Sequence, residues 1–154
     1  MEKKYRITVI NGPNLNMLGQ RDASVYGSQT LEQINDSLKK EFKDVEFTFL
    51  QSNIEGEIVG FIQRADGGAI VLNGGAYSHY SYAIADALET AKPLKIEVHL
   101  SNIYAREEFR HTSVISPKVK GSICGFGADS YFLAVTECIR LLSNAEKTKA
   151  EKRN

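Results

Sequence analysis

No sign of charge dominates this chain: 19 Lys+Arg balance 19 Asp+Glu over 154 residues, for a net charge of zero with His neutral. That argues against a polyanion partner held on a broad basic surface, so no nucleic-acid function is expected. Cysteine is scarce. Cys124 and Cys138 have neither Cys-x-x-Cys spacing nor secretory context, and buried thiols in a reducing compartment are the expectation. No disulfide staple is needed, because a chain of this length buries roughly 70% of the surface its unfolded form exposes. No apolar run approaches the length of a membrane span. The first residues, Met-Glu-Lys-Lys-Tyr-Arg, lead into a strand rather than a signal peptide's apolar region. The expected location is the cytoplasm. Neither Gly-x-Gly-x-x-Gly nor a P-loop Gly-Lys-Ser/Thr occurs. His79, His99 and His111 lack the spacing of a common zinc motif, so no metal is expected. Without repeats or low-complexity linkers, one domain is expected over residues 1–144, followed by a charged, disordered tail over 145–154.

What is present is an alternation of strands and helices. Tyr5 to Asn11 is β-branched and apolar, the pattern of a first strand. Val45 to Leu50 and Ala69 to Leu72 form the second and third strands. The fourth starts after Pro93, and Val119 to Cys124 is the fifth. Thr30 and Gln33 make a capping box ahead of an apolar face of Leu31, Ile34, Leu38 and Phe42. Further helices are expected over Ile54–Ala65 with Asn53 as cap, from Ser78 or His79 to Ala91, and over Asp129–Ser143. Five strands separated by helical segments imply an α/β fold with a parallel sheet, three layers and right-handed crossovers. The flavodoxin-like order 2-1-3-4-5 is the expected arrangement.

The fourth strand is the informative one. Leu94, Ile96, Val98 and Leu100 alternate with Lys95, Glu97, His99 and Ser101, yet a parallel sheet covered on both faces calls for near-continuous apolar runs. A Glu-x-His-x-Ser row in that setting needs partners or a purpose. In open α/β sheets ligands bind beyond the carboxyl ends of the strands. Those ends carry Asn11 to Asn14, Gln51 to Asn53, Asn73 to Gly75 and His99 to Ser101, and a loop with Arg106 and Arg110 follows. Amides, histidines and arginines suit a small, oxygen-rich anion. Pro13 and the absence of hydroxyls after strand one disfavour a flavin-phosphate cradle. Asn73 stands where a receiver domain needs its phosphorylatable Asp.

Each candidate has a plain structural alternative. Glu97 and His99 share a strand face, which fits a carboxylate–His dyad or a buried structural hydrogen bond. Arg21 and Tyr26 lie in a long loop after strand one; they fit a lid carrying an arginine-activated tyrosinate, or a solvated surface pair. The turn Asn73-Gly74-Gly75 can bring backbone N–H groups to an anion, or simply connect a strand to a helix with Ser78 as cap. The Arg106–His111 segment can be a solvated charged turn or can point one Arg inward. Asp86 reads by itself as a solvent-facing carboxylate.

Taken together, several blocks resemble the type II 3-dehydroquinate dehydratase family. They are Gly-Pro-Asn-Leu-Asn-Met-Leu-Gly-Gln-Arg at 12–21, Tyr26-Gly27 with Thr30-Leu31, Gln51-Ser52-Asn53-Ile54-Glu55-Gly56, Gly75-Ala76-Tyr77-Ser78-His79, Ile96 to Asn102, and Arg106 to His111. The likeness spans about residues 5–142 and implies a flavodoxin-like, cofactor-free lyase. Its reaction converts 3-dehydroquinate to 3-dehydroshikimate and water by anti elimination through an enolate, within the shikimate route to chorismate and aromatic amino acids. By the resemblance, the base falls on Tyr26, held by Arg21. The proton donor falls on His99, backed by Glu97, and Asn14 helps stabilise the enolate through a water. Asn73, His79, Leu100, Ser101 and Arg110 match substrate-binding positions. Asp86 matches one that reaches a neighbouring subunit's site, in a family that assembles as a homododecamer of trimers. Gly74 stands where the family commonly has Pro, Ser78 and Tyr80 where it has Thr, and Ser130 where it has Gly. None of these departures removes a catalytic group. A silent small-anion binder on the same fold would not need Tyr26, Arg21 and His99 together, and an interaction scaffold would need none of the polar ring.

Overall fold

The computed structural model describes residues 2–153. Five strands, β1 (Tyr5–Asn11), β2 (Val45–Gln51), β3 (Ala69–Asn73), β4 (Leu94–His99) and β5 (Gly121–Cys124), form one sheet in the order β2-β1-β3-β4-β5. Every neighbouring pair is parallel. The helices are α1 (Ala23–Tyr26), α2 (Leu31–Glu41), α3 (Glu55–Arg64), α4 (Tyr82–Thr90) and α5 (Asp129–Glu151). This is the flavodoxin-like arrangement that the alternation predicts.

The period-2 alternation of strand side chains divides the core into two layers. Ala69 and Val71 of β3 join Ile7, Val9, Ile96 and Val98 under α2 and α5, whose Ile34, Leu38, Tyr131, Val135 and Cys138 cover that face. Ile70 and Leu72 join Ile10 on the other face, under Ile58 and Ile62 of α3 and Ile84 and Leu88 of α4. All five β3 residues are buried. Each such Ile or Leu contributes about 1.5–3 kcal/mol relative to an exposed side chain. β1 and β3 therefore form a rigid centre, and their carboxyl ends are fixed relative to each other.

Several boundaries differ from expectation, each for a local reason. The loop after β1 has structure: Leu15–Met17 makes a 3-10 turn, and α1 follows, capped by the Asp22 carboxylate accepting from the Ser24 N–H at 3.0 Å. Asn53 does not cap α3. Ser52 Oγ accepts from the Ile54 N–H instead, at 2.9 Å, and Asn53 Oδ1 accepts from the Asn14 N–H at 3.0 Å. Nor does Ser78 cap the third helix. It is fully buried in a 3-10 turn over Gly75–His79, and α4 starts only after Ser81, whose Oγ accepts from the Ile84 N–H at 3.1 Å. β5 starts at Gly121 because Ser116–Lys118, with Pro117 in its first turn, is a 3-10 turn. The expected disordered tail is helical through Glu151: α5 does not stop at Ser143. Residues 145–151 are mostly Ala, Glu and Lys, good helix formers, and Glu146 lies 3.8 Å from Lys4 beside the sheet. Asn154 of that tail lies outside the described residues.

Candidate active site

At the carboxyl ends of β1, β3 and β4 lies an open cleft lined mostly by polar and charged side chains. Asn14, Arg21 and Tyr26 come to it from the loop after β1, Asn73 and His79 from the end of β3 and its turn, and His99, Leu100, Ser101 and Arg110 from β4 and beyond. Of the eleven sequence candidates, only two do not line it. Glu97 lies behind His99, buried at 1% exposure. Asp86 is exposed on α4, away from the cleft of its own chain.

The loop after β1 is held by its neighbours. Asn14 has a left-handed backbone (φ 67°), a conformation that Asn tolerates better than most residues. Gln51 Nε2 donates to the Gly12 carbonyl at 3.2 Å and to Asn53 Oδ1 at 3.1 Å, tying this loop to the end of β2. At its far end, Arg21 Nη2 donates to Tyr26 Oη at 2.7 Å, and the guanidinium carbon lies 3.7 Å from the ring centroid. A second guanidinium, Arg106, lies 5.1 Å from the same centroid and lines the cleft. The Arg106–His111 segment, expected either to be solvated or to point one Arg inward, sends Arg106 into the cleft, although no site role was expected of that residue in particular. Arg110 also reaches the cleft, with its Nε donating to Glu107 Oε2 at 2.7 Å.

Across the turn, Asn73 Nδ2 donates to the Tyr131 hydroxyl at 3.0 Å, while its Oδ1 accepts from the Gly75 N–H at 3.1 Å. Tyr131, from α5, in turn donates to Asn11 Oδ1. Burial pushes the Tyr131 phenol up, so it stays protonated and keeps that donor. No motif marks this tie: Tyr131 reads in sequence as one more apolar face residue of a helix.

His79 Nδ1 lies 2.8 Å from the Thr112 carbonyl. A carbonyl only accepts, so Nδ1 carries the proton, and in the neutral ring Nε2 is an acceptor. Burial, helped by His99 and Arg110, holds His79 below its ordinary value and favours that neutral form. The His79 and His99 rings are nearly parallel, with centroids 6.0 Å apart. His99 Nε2 donates to Glu97 Oε2 at 3.0 Å, leaving Nδ1 as the ring's other proton-transfer atom. Burial alone would raise the Glu97 carboxyl; hydrogen bonds from His99, Ser116 and Ser122 outweigh it, and the carboxyl is held below its ordinary value. Among the described residues, no group of three or more His, Cys, Asp or Glu is placed to hold a metal ion.

Fold and site together define a flavodoxin-like α/β protein with a cationic, hydrogen-bonding cleft for a small anion, equipped with an arginine-held tyrosine and a carboxylate-backed histidine. A model of one family, dehydroquinase class II, matches residues 5–139, and the chain belongs to that family. Among curated relatives, a 3-dehydroquinate dehydratase of Bacillus subtilis is 52% identical over 131 residues, covering 82% of this chain and 88% of the relative. One from Caldicellulosiruptor bescii is 50% identical over 135 residues, covering 84% and 93%. The crystal structure of a type II dehydroquinase from Butyrivibrio crossotus superposes with a TM-score of 0.85 at 45% identity, covering 87% of this chain and 97% of that one.

Proposed function

We propose that this chain is a hydro-lyase that dehydrates 3-dehydroquinate to 3-dehydroshikimate, serving the shikimate route to chorismate and aromatic amino acids. The observation that carries the reading is the pairing of Arg21 with Tyr26 at 2.7 Å in the same cleft as the His99–Glu97 pair. Arg21 holds the Tyr26 hydroxyl by donating to it and places its positive charge against the ring. Tyr26 then removes the proton beside the ketone, and the charge building on the enolate oxygen is stabilised by fixed donors, Asn14 acting through a water. His99 delivers a proton to the departing hydroxyl, giving an anti elimination, with Glu97 behind the ring as counter-charge. Arg110 binds the substrate carboxylate or a neighbouring oxygen. The Asn73 turn, Leu100 and Ser101 hold the ring, and His79 Nε2 accepts from one of its hydroxyls. No cofactor and no metal take part.

Residues 1–144 form the catalytic domain, and the chain acts in the cytoplasm with neither a membrane nor nucleic acid as partner. Asp86, far from its own cleft, acts in a neighbouring subunit within a homododecamer of trimers. The test is direct: purified protein is given 3-dehydroquinate, and the conjugated enone absorbance is followed. Absorbance that does not rise above the uncatalysed rate rejects the proposal. No observation favours the silent anion-binding alternative.

A further inference from the structure

The Glu97 carboxylate is buried on β4, between Leu72 of β3 and Ser122 of the edge strand β5 in register. A lone buried carboxylate is costly and tends to take up a proton. Here three serine hydroxyls surround it, none of them among the candidate site residues. Ser113 Oγ donates to Oε2 at 2.9 Å, Ser122 Oγ donates to Oε1 at 2.7 Å, and Ser116 Oγ donates to the same Oε1. With His99 Nε2 on Oε2, each oxygen receives two donors.

The protons available around the carboxylate match an ionised acceptor. Ser113 Oγ already accepts from the Ser116 N–H at 3.0 Å, so its single proton is free for Glu97. Ser116 and Ser122 lie 3.1 Å apart. Both converge on Oε1, and an ionised oxygen satisfies both as donors. A carboxylate accepts about four hydrogen bonds, the number offered here; a carboxylic acid would require one serine to turn its hydroxyl from donor to acceptor. The cage is therefore complementary to the ion.

We propose that Ser113, Ser116 and Ser122 are positioning residues that keep Glu97 ionised, so that its charge stays behind His99 while the ring gives up its proton. The inference rests on the dehydratase reading above for its catalytic consequence, but the cage itself does not. Other charged groups near the pair are accounted for. His79 faces His99 from the turn after β3, and Arg106 and Arg110 reach the same cleft from the segment after β4, with Arg21 and Tyr26 from the loop after β1. Lys118, two residues after Ser116, has its ammonium paired with Glu89 of α4 at 2.9 Å. The serines are thus the groups that hold the carboxylate from behind.

The experiment uses Ser122→Ala and the Ser116→Ala/Ser122→Ala double variant, with Ser122→Thr as the conservative control. Ser113 is left alone because it also anchors the Ser116 N–H. The Glu97 carboxyl is followed by carbon-13 NMR across pH in the ligand-free protein, assigned with Glu97→Gln. Its midpoint is expected to rise by about one pH unit for each hydroxyl removed. The acidic limb of kcat for 3-dehydroquinate is expected to move with it, with KM little changed and Ser122→Thr restoring both. A Glu97 midpoint that stays put in the double variant overturns the proposal, and so does a midpoint that moves while the acidic limb of kcat does not. If the unmodified chain fails to dehydrate 3-dehydroquinate, the proposed function falls, and the NMR titration still decides whether the cage holds the ion.

Discussion

Replacing Tyr26 by Phe deletes one oxygen while keeping the ring stacked on Arg21, so it isolates the proposed base. The rate is expected to fall by at least ~10²–10⁴ with KM little changed, as measured by enone formation. His99→Ala is expected to be as severe for another reason, since proton removal survives but the hydroxyl lacks its acid. Deuterium exchange at the acidic carbon separates the two, provided that the enolate outlives the return of the proton: the His99 variant exchanges without forming product, and the Tyr26 variant does neither. Exchange in Tyr26→Phe but not in His99→Ala reverses the assignments. His79 makes a prediction about stability. Its folded-state value is lowered from 6.5, so the folded protein binds fewer protons than the unfolded chain does around that pH. The contribution is present above 6.5 and is lost as pH falls through the lower, folded value. Glu97, Glu107 and Glu137 behave likewise from 4.5 downward, and the exposed Asp22 from 3.8 downward. Urea melts across pH should show an early loss just below 6.5 that His79→Gln abolishes and a later one below 4.5 that it leaves in place. At this scale the sequence is legible where a polar residue interrupts an apolar pattern, as Glu97 and His99 do. It is opaque where the partner is distant, as with the serines around Glu97 and Tyr131 behind Asn73.

Turns and caps decide how the elements present those residues. Gly12 and Gly74, at the ends of β1 and β3, touch so closely that a Cβ on Gly12 would lie 2.6 Å from the Gly74 carbonyl oxygen. Gly12→Ala is expected to lose about 1–3 kcal/mol in a urea melt and to weaken substrate binding, because the Asn73–Gly75 turn must shift. Tyr131→Phe tests the tie from α5. It leaves the Asn11 and Asn73 amides short of a partner in a buried place, at a cost of about 1–3 kcal/mol, with KM raised as Asn73 loosens. An unchanged melting curve would show the tie to be dispensable. The period-2 and period-3.6 patterns carried the sheet and helices in the sequence, and the capping box at Thr30 and Gln33 was legible as such. Asn53 and Ser78 were not, because each sits where a cap belongs but is drawn elsewhere, Asn53 to the Asn14 N–H and Ser78 into the core beside Gly74.

For the whole molecule, the proposed assembly makes Asp86 its probe. Asp86→Ala should lower activity in the oligomer although it touches nothing in its own cleft, and sedimentation showing a fully active monomer would rule that role out. Dialysis against a chelator should leave the rate unchanged; loss of activity restored by a divalent ion would contradict a metal-free reaction. The strand order has a consequence in time. Tyr26 belongs to the first part of the chain and His99 to the later part, and they meet only because β3 lies between β1 and β4. Parallel pairings of this kind close long loops and form slowly. During refolding from urea, the β1–β2 half can gather early, but the cleft has no proton donor until β4 docks beside β3. Catalytic activity should therefore return with the slowest phase of sheet formation, lagging behind the recovery of helical signal.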